Sequence, residues 1–348
     1  MTSHRAIVWD RISRSRRALI AAVLLGALAL IAVFAELLAA PAPIAAFGPS
    51  GSAILPAVTR PATYEGLSRE AIEALHADDT AVWPLVRYGP ADVVAEGPFA
   101  PSSRAHPLGT DAQGRDLAAR IIYGTRNALG LSLGAVLIGM LLGVALGGLA
   151  GTFRFWNDIL VRLVETVDTF PAIIVVALVR AIEREPSALS LVLAVALVRW
   201  AEVARLVRAV VLRASVEDYV VAARALGCSP TRIFWRHIFP NAVGPVLVSS
   251  VYGVASVVLL EAAIAFLEMG TPSQVASWGE TLAEGARNPH QIRLIIAPGL
   301  ALLTTIAGLY LLADALRDAM DPHTVRKRRA DQGDDSPLSV MWRDSSRP

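Results

Sequence analysis

Lysine, cysteine and charge of either sign are scarce in this 348-residue sequence. Only 18% of the residues are charged and 54% are hydrophobic, whereas soluble proteins carry about 25% charged residues. A single water-soluble enzyme domain is therefore not expected. The 32 basic residues include one lysine, Lys327. A phosphate-binding loop of the form GxxxxGK[ST] needs a lysine after a glycine, so the chain cannot hold a Walker-type ATPase site.

Disulfide, metal and nucleic-acid chemistry find equally little support. Cys228 is the single cysteine, so no intrachain disulfide can form. The six histidines are scattered, without an HExxH pattern or a pairing with cysteine, so no metal site is expected. The net charge of +2 is too small to indicate nucleic acid as a partner.

Long apolar runs are the main positive feature. Six stretches approach the length of about 20 residues that a helix needs to cross a bilayer. They lie at 18–40, 127–151, 158–182, 187–211, 241–267 and 294–316. The first is longer than the apolar part of a secretory signal and is interpreted as a retained anchor. The sequence thus predicts an all-α integral membrane protein with six transmembrane helices, surrounded by membrane lipids.

Arginines indicate the orientation of these spans. They are concentrated at 1–17, 152–162, 205–236 and 317–348. By the positive-inside rule both termini are then cytoplasmic, and a small extracytoplasmic insertion occupies 41–126. The five later spans form a core at 127–316, and the polar end at 329–348 is expected to be disordered.

The insertion has few strong signals. Its first part, 41–61, is rich in Pro, Gly and Ala and predicts irregular chain, whereas Leu67–His76 predicts a helix capped by Ser68. Before the second span, an interfacial helix is predicted that contains three arginines, Arg115, Arg120 and Arg126. Asp111 and Asp116 can form ion pairs with these arginines. In a later loop, Trp278 is interpreted as an interfacial anchor, with a gating role as the alternative.

Charged residues interrupt two of the predicted spans. Glu165 and Asp168 fall in the third, and Arg199 and Glu202 fall in the fourth. Such groups are costly in hydrocarbon, so they indicate either a substrate or ion path or helix ends near the headgroups. The second interpretation is preferred, because Glu165 and Asp168 lie within about three turns of the predicted cytoplasmic end.

A loop at 213–240 carries clear helix signals. Ser215 is placed to cap a first helix, and Gly227 to end it in the left-handed conformation. Ser229 and Pro230 then predict a second helix, so the loop is expected to be two short helices bent at Gly227. An apolar face of the first helix is expected from Tyr219, Ala222, Ala223 and Leu226.

The residues of this loop resemble a known family. DYVVAARALGCSPTRIFWRHIFPNAV is similar to the EAA loop of ABC-importer permeases, with Ala222, Ala223, Gly227 and Pro240 at the family spacing. Val221 departs from the pattern, since it stands where the family has glutamate; His237 and Phe239 depart as well. The resemblance implies an ATPase-coupling role for Asp218, Tyr219, Ala222, Ala223, Arg224, Leu226, Gly227 and Pro240.

A second stretch resembles the dipeptide/oligopeptide/nickel permease group. It is HPLGTDAQGRDLAARIIYGTR at 106–126, followed by Glu261-Ala262-Ala263 and Ser277-Trp278-Gly279 as later landmarks. Residues 41–103 match no family motif. The family motif before the second span comprises Gly109, Thr110, Asp111, Gly114, Arg115 and Asp116. His106, the first residue of the stretch 106–126, is expected either to touch a binding protein or to form a turn before Pro107.

The resemblance implies a non-catalytic permease subunit of an ABC importer in the bacterial inner membrane. ATP and Mg²⁺ would be held by separate cytoplasmic ATP-binding subunits, and no cofactor by this chain. A second homologous permease subunit and a periplasmic solute-binding protein are the further partners it implies. Short peptides are the expected cargo, with nickel or another small solute as the alternative; the sequence does not indicate substrate-binding residues.

Two other functions remain open at this stage. An ion-coupled secondary transporter would use Asp168 and Glu261 as carriers, but the sequence shows no inverted repeat. A membrane enzyme would use Glu165 and Asp168, which are three residues apart on one helix. No nucleophile with a plausible base accompanies them, so no catalytic residue is expected.

Overall fold

The protein is described here from a computed structural model that covers residues 12–13, 15–49, 51–64, 67–184, 187–270 and 275–320. The first part contains helices α1 (Arg16–Val33), α2 (Ala35–Leu38), α3 (Pro56–Thr59) and α4 (Arg69–Leu75), and strands β1 (Ala45–Gly48), β2 (Gly51–Ile54) and β3 (Thr80–Val82). The second part contains α5 (Leu117–Thr152), α6 (Arg154–Thr169), α7 (Ala172–Ile182), α8 (Ala188–Ala214), α9 (Asp218–Ala225), α10 (Pro230–Ile233), α11 (Phe239–Phe266), α12 (Trp278–Arg287) and α13 (Arg293–Met320). The predicted tail at 329–348 lies outside the described residues.

Within the described residues, four helical runs are long and apolar enough to cross a membrane. They are Arg16–Val33, Leu117–Thr152, Pro230–Phe266 and Arg293–Met320. These runs contain the first, second, fifth and sixth predicted spans or most of them. A mainly helical membrane protein is thus confirmed, while the number of six spans stays a prediction.

The third and fourth predicted spans differ from the other four. The third is broken at Phe170–Pro171 into α6 and α7, because proline cannot continue the hydrogen-bond ladder of α6. α7 is an apolar helix of 11 residues, too short to cross alone. The fourth is the continuous 27-residue helix α8. Its length suffices, but its arginines and Glu202 make it less apolar than the other spans.

Glycines let α5 pack tightly against α8. A Cβ atom on Gly143 would lie 2.5 Å from the Cβ of Val203, and one on Gly147 would lie 2.3 Å from the carbonyl oxygen of Ala204. Neither position has space for a side chain, so the two helix backbones approach closely. This helix pair forms the centre of the bundle, and α11 and α13 pack beside it.

The insertion is more regular than the sequence indicates. Within 41–61, predicted as irregular chain, β1 and β2 form an antiparallel hairpin and α3 follows; β3 completes a sheet of order β2-β1-β3. The expected helix at Leu67–His76 is confirmed as α4, with Ser68 accepting the N–H of Ala71. Ala39, Val86 and Tyr88 pack against the first turn of α5, so the insertion is seated on the helical bundle.

The helix predicted before the second span is not separate from that span, because it is the first part of the uninterrupted 36-residue α5. The interpretation of Trp278 as an interfacial anchor is wrong, because only 1% of it is exposed. Its indole N–H donates to the carbonyl of Ile121, and its ring occupies the space that a side chain at Gly124 would need. Trp278 therefore fixes α12 to α5.

Candidate functional site

The segment 215–240 lies at the carboxyl end of α5 and α8. Its first helix, α9, begins at Asp218 as predicted, but Ser215 does not cap it. Ser215 keeps helical backbone angles at the end of α8, and its hydroxyl donates to the carbonyl of Leu212. Glu217 is the N-cap residue and makes no side-chain cap hydrogen bond. The capping role of Ser215 was thus predicted wrongly, because α8 extends further than its apolar run.

The end of α9 agrees with the prediction. Gly227 has φ +78°, the left-handed conformation that glycine adopts without strain. The N–H of Cys228 donates to the carbonyl of Ala223 at 3.1 Å, and that of Gly227 to Arg224 at 3.0 Å. These two bonds define a Schellman motif. Ser229 then accepts the N–H of Arg232 and caps α10, in which Pro230 is the first residue.

The two faces of α9 have different environments. Val220 and Ala223 point inward and are 0% and 7% exposed. Tyr219, Ala222 and Leu226 lie three and four residues apart and are all exposed, Leu226 to 84%. The predicted apolar face therefore exists, but Ala223 belongs to the buried side.

The inward face is anchored to three long helices. Val220 and Ala223 join an apolar cluster with residues of α5, α8 and α11, and Phe234 belongs to the same cluster. The Phe234 ring fills the space beside Gly148 of α5, where an added Cβ would lie 2.4 Å from the ring. Because these contacts are buried and dense, a displacement of α9 must move α5 and α8.

The second predicted short helix is not separate from the fifth span. A π turn at Phe234–Ile238 joins α10 to α11 in one helical run. In this turn the N–H of Phe239 donates to the carbonyl of Phe234. Pro240 follows and has no N–H to donate. Beside it, the side-chain amide of Asn241 donates to the carbonyl of His237 at 3.1 Å.

The opposite end of α5 carries a buried group of charges, named here the arginine–carboxylate cluster. Its members are Asp111, Arg115, Arg120, Glu280 and Glu284. Arg115 donates to Asp111 at 2.7 Å and to Glu284 at 2.8 Å, and Arg120 donates to Glu280 at 2.8 Å. Asp111 and Arg120 are almost fully buried. The cluster ties the predicted family motif to α12.

Glu280 and Glu284 were missed from the sequence. They lie four residues apart on α12, just after the Ser277 cap, so one helix face carries both. Burial raises the pKa of Glu284 to about 7, and Asp111 adds to this increase, while Arg115 and Arg120 oppose it. The i,i+4 spacing was the available signal, but it does not identify partners 165 residues away.

Asp116 and His106 form a separate buried pair. Asp116 was expected to pair with an arginine, but its carboxylate lies 2.8 Å from Nδ1 of His106. Its other oxygen accepts the N–H of Ala119 and caps α5, while burial raises the pKa of the group. His106 is 1% exposed, so it cannot reach a binding protein. The N–H of Gly109 donates to its carbonyl, which confirms the turn.

The remaining motif residues shape the backbone around the cluster. Gly109 and Gly114 have φ of +74° and +76°. A Cβ on Gly109 would lie 2.4 Å from the carbonyl oxygen of Ala100, so only glycine fits. The Thr110 hydroxyl accepts the N–H of Ala100 and donates to the carbonyl of Gly97. The motif before the second span is thus a compact turn held by backbone and side-chain hydrogen bonds.

Asp168 and Glu261, the charged residues that the ion-coupled alternative needs, are bound to other side chains of this chain. Asp168, near the carboxyl end of α6, pairs with Arg205 of α8, and both are partly exposed. Glu261 is buried in α11 and accepts a hydrogen bond from Ser277 at 2.9 Å. Arg126 pairs with Glu36, beside α1, and not with an aspartate. Among the described residues, no group of His, Cys, Asp or Glu is arranged to hold a metal ion.

Comparison with known proteins identifies the family. A family model described as binding-protein-dependent transport system inner membrane component matches residues 127–326, more than half of the chain. The chain belongs to this family. It is a multi-pass, non-catalytic subunit of an ABC importer in the inner membrane, and it acts in a transport system with an ATPase and a binding protein.

Several curated relatives align over most of their length. A putative peptide transport system permease of Brucella suis is 35% identical over 226 residues, which is 64% of this chain and 76% of the relative. The glutathione transport system permease GsiD of Pectobacterium atrosepticum is 36% identical over 237 residues, 66% of this chain and 76% of the relative. The oligopeptide permease OppC of Bacillus subtilis is 32% identical over 226 residues, 64% and 73% of the two chains.

Proposed function

We propose that this chain is one of two homologous permease subunits of an ATP-driven importer of short peptides. The names of the relatives support this cargo, since they are described as peptide, glutathione and oligopeptide permeases. α8 and the α6–α7 pair supply the two further spans, and the arginine distribution supports cytoplasmic termini. The 215–240 segment then faces the cytoplasm.

The observation that carries the coupling role is the two-sided environment of α9. Its outer stripe of Tyr219, Ala222 and Leu226 is apolar and exposed, while its inner side is fixed to the bundle. An exposed apolar stripe on a rigid helix is typical of a surface that a partner covers. The partner that the family provides on this side is the cytoplasmic ATPase.

Transport follows from this arrangement by alternating access. ATP and Mg²⁺ are held on the partner ATPases, whose closure moves α9. Because Val220, Ala223 and Phe234 link this segment to α5 and α8, the displacement reaches the long helices directly. The two permeases then change between outward- and inward-facing arrangements, and the binding protein delivers the peptide from outside.

A charge introduced at Leu226 tests this function. In the complete complex reconstituted in proteoliposomes, Leu226→Lys is expected to lower peptide-stimulated ATP hydrolysis at least about tenfold, because a desolvated ammonium would replace an apolar contact. Lysine at the end of α9 suits the helix dipole, so this chain remains folded. The matched control is Val216→Lys, which is 75% exposed and lies outside the stripe, and its activity stays within about twofold.

Two results would contradict the proposal. Wild-type levels of peptide-stimulated ATP hydrolysis in Leu226→Lys would show that the stripe does not contact the ATPase. Uptake that persists without ATP and follows a proton gradient would favour the ion-coupled alternative. The nature of the cargo is tested separately from the coupling, by comparing the affinity of the cognate binding protein for short peptides with its affinity for nickel.

A further inference from the structure

Arg199 lies near the middle of α8, at the expected depth of the bilayer centre. It is 11 residues after the first residue of α8, Ala188, which corresponds to about 17 Å along the helix, roughly half of a hydrocarbon core. A charged side chain at this depth is costly and marks a functional path in many membrane proteins. The preferred sequence interpretation, a helix end near the headgroups, does not fit this position.

The neighbouring helices leave space for this arginine. A Cβ atom on Gly253 of α11 would lie 2.5 Å from Nη2 of Arg199, and one on Gly139 of α5 would lie 3.0 Å from its Cβ. The two glycines face α8 from different sides. Side chains there would displace Arg199, so the packing of both helices is adapted to a long side chain at this position.

Arg199 is held by one carboxylate and keeps an unused donor. Its Nη1 donates to Glu202, one turn further along α8, and the Ser249 hydroxyl donates to the other oxygen of Glu202 at 3.4 Å. The Nε of Arg199 is buried and has no hydrogen-bond partner among the described residues. Glu202 remains 45% exposed, so its contact with Arg199 can be exchanged.

A cavity of about 380 Å³ opens beside the guanidinium group. Arg199 is the charged residue in the lining of this cavity. The uncharged residues of the lining include Ala172, Ser256, Leu260, Ala263 and Tyr310. The volume falls within the range of small-molecule sites, about 300–1,000 Å³. One cation in an otherwise uncharged cavity suits a ligand that carries a carboxylate.

We propose that Arg199 contacts the carboxylate of the peptide during its passage, and that Glu202 is its partner when the cavity is empty. This inference rests on the proposed function, because it assumes peptide cargo. The terminal carboxylate is costly to bring into a bilayer, and a charge-assisted contact with a guanidinium offsets that cost. Competition from Glu202 keeps the contact weak enough for release, as conduction through a pore requires.

The test compares a short peptide with its carboxyl-terminal amide in the complete reconstituted complex. Uptake of each is measured with binding protein saturated by that peptide, for wild type, Arg199→Gln and Glu202→Gln. In Arg199→Gln the ratio of free-acid to amide uptake falls roughly tenfold, since one charge-assisted contact is lost for the acid alone. The binding protein is the same throughout, so its preference cancels between variants.

Two further variants define the outcome. Arg205→Gln, six residues further along the same helix, leaves the ratio unchanged. Glu202→Gln frees the guanidinium group and raises the ratio, which keeps the test decisive if Arg199→Gln does not assemble. Equal loss of both peptides in Arg199→Gln, or an unchanged ratio in Glu202→Gln, would show a structural role only. Absence of ATP-driven peptide uptake in wild type would contradict the proposed function instead.

Discussion

At the amino end of α5, charged side chains are buried and paired, whereas at its carboxyl end the 215–240 segment leaves apolar side chains exposed. Asp111 and Arg120 are almost fully buried in the arginine–carboxylate cluster, and Leu226 of α9 is 84% exposed. The two regions are about 54 Å apart along the 36-residue α5. One continuous helix therefore joins a region whose charged side chains are paired within this chain to a surface whose apolar side chains are not covered by it.

This difference indicates which end of the subunit is held fixed and which end is able to move. The cluster crosslinks α5 and α12 through several ion pairs, so that end resists rearrangement. α9 is anchored on one side only, and its other side is exposed, as the proposed contact with the ATPase requires. We expect the cluster to determine stability and the 215–240 segment to determine coupling.

The largest effect is expected for Arg120→Leu. Removal of this guanidinium leaves Glu280 and Asp111 with less compensation in a buried site, at a cost of about 3–5 kcal/mol. Thermal denaturation of the purified complex should shift strongly downward. As a control, Arg287→Gln breaks an exposed pair with Glu268 and should change stability by less than about 1 kcal/mol. Equal shifts for the two variants would refute the special role of the cluster.

A smaller effect on stability is expected at the other end for Gly148→Ala. The added Cβ would lie 2.4 Å from the Phe234 ring, so the ring must move, at about 1–3 kcal/mol. Because Phe234 links the segment to α5, peptide-stimulated ATP hydrolysis should fall as well. Gly130→Ala on the same helix meets no atom within 4 Å and is the control. Unchanged coupling in Gly148→Ala would mean that this contact does not transmit the displacement.

Gly227→Leu separates coupling from folding. A side chain at Gly227 meets no atom within 4 Å, so only the left-handed conformation opposes it, at about 1–2 kcal/mol. The protein should reach the membrane in normal amount, but the orientation of α9 changes and the complex becomes uncoupled. Substrate-stimulated ATP hydrolysis is the measurement, and wild-type levels would contradict the role of this bend. Gly26→Leu, on α1 and also in open space, is the control.

Local signals allowed much of the 215–240 segment to be predicted. Gly227, Ser229 and Pro230 act through their own backbone, so their consequences can be derived from neighbouring residues alone. Ser215 was placed wrongly because its environment depends on where α8 ends. The break at Pro171 was likewise overlooked, since an apolar run on both sides predicts one span unless the proline is taken as a boundary.

The arginine–carboxylate cluster shows why the rest could not be predicted. The sequence indicated that Asp111 accepts arginine, and the structure confirms this pairing. It could not indicate that Glu280 and Glu284 complete the cluster, because only the packing of α12 against α5 brings them there. Trp278 is a similar case: an aromatic residue in a predicted loop favours an interfacial position, but the space at Gly124 accommodates it inside the protein.

The smallest effect concerns the pH response of the cluster. Burial raises the pKa of Glu284 from the ordinary value of 4.5 to about 7 in the folded protein, so the folded state binds an extra proton near neutral pH. Its contribution to stability is therefore present at low pH and is lost as the pH rises through 7, by about 1 kcal/mol between pH 6 and pH 8.

Glu284→Gln removes this titrating group and isolates its effect from that of other ionisable groups such as Asp116. The thermal midpoint of wild type minus that of Glu284→Gln should decrease from pH 6 to pH 8, and peptide-stimulated ATP hydrolysis should keep the same pH profile in both proteins. A difference that stays constant would mean that Arg115 holds Glu284 ionised throughout. A changed pH profile of hydrolysis would mean instead that the cluster takes part in coupling, and the separation between the two ends of α5 would then fail.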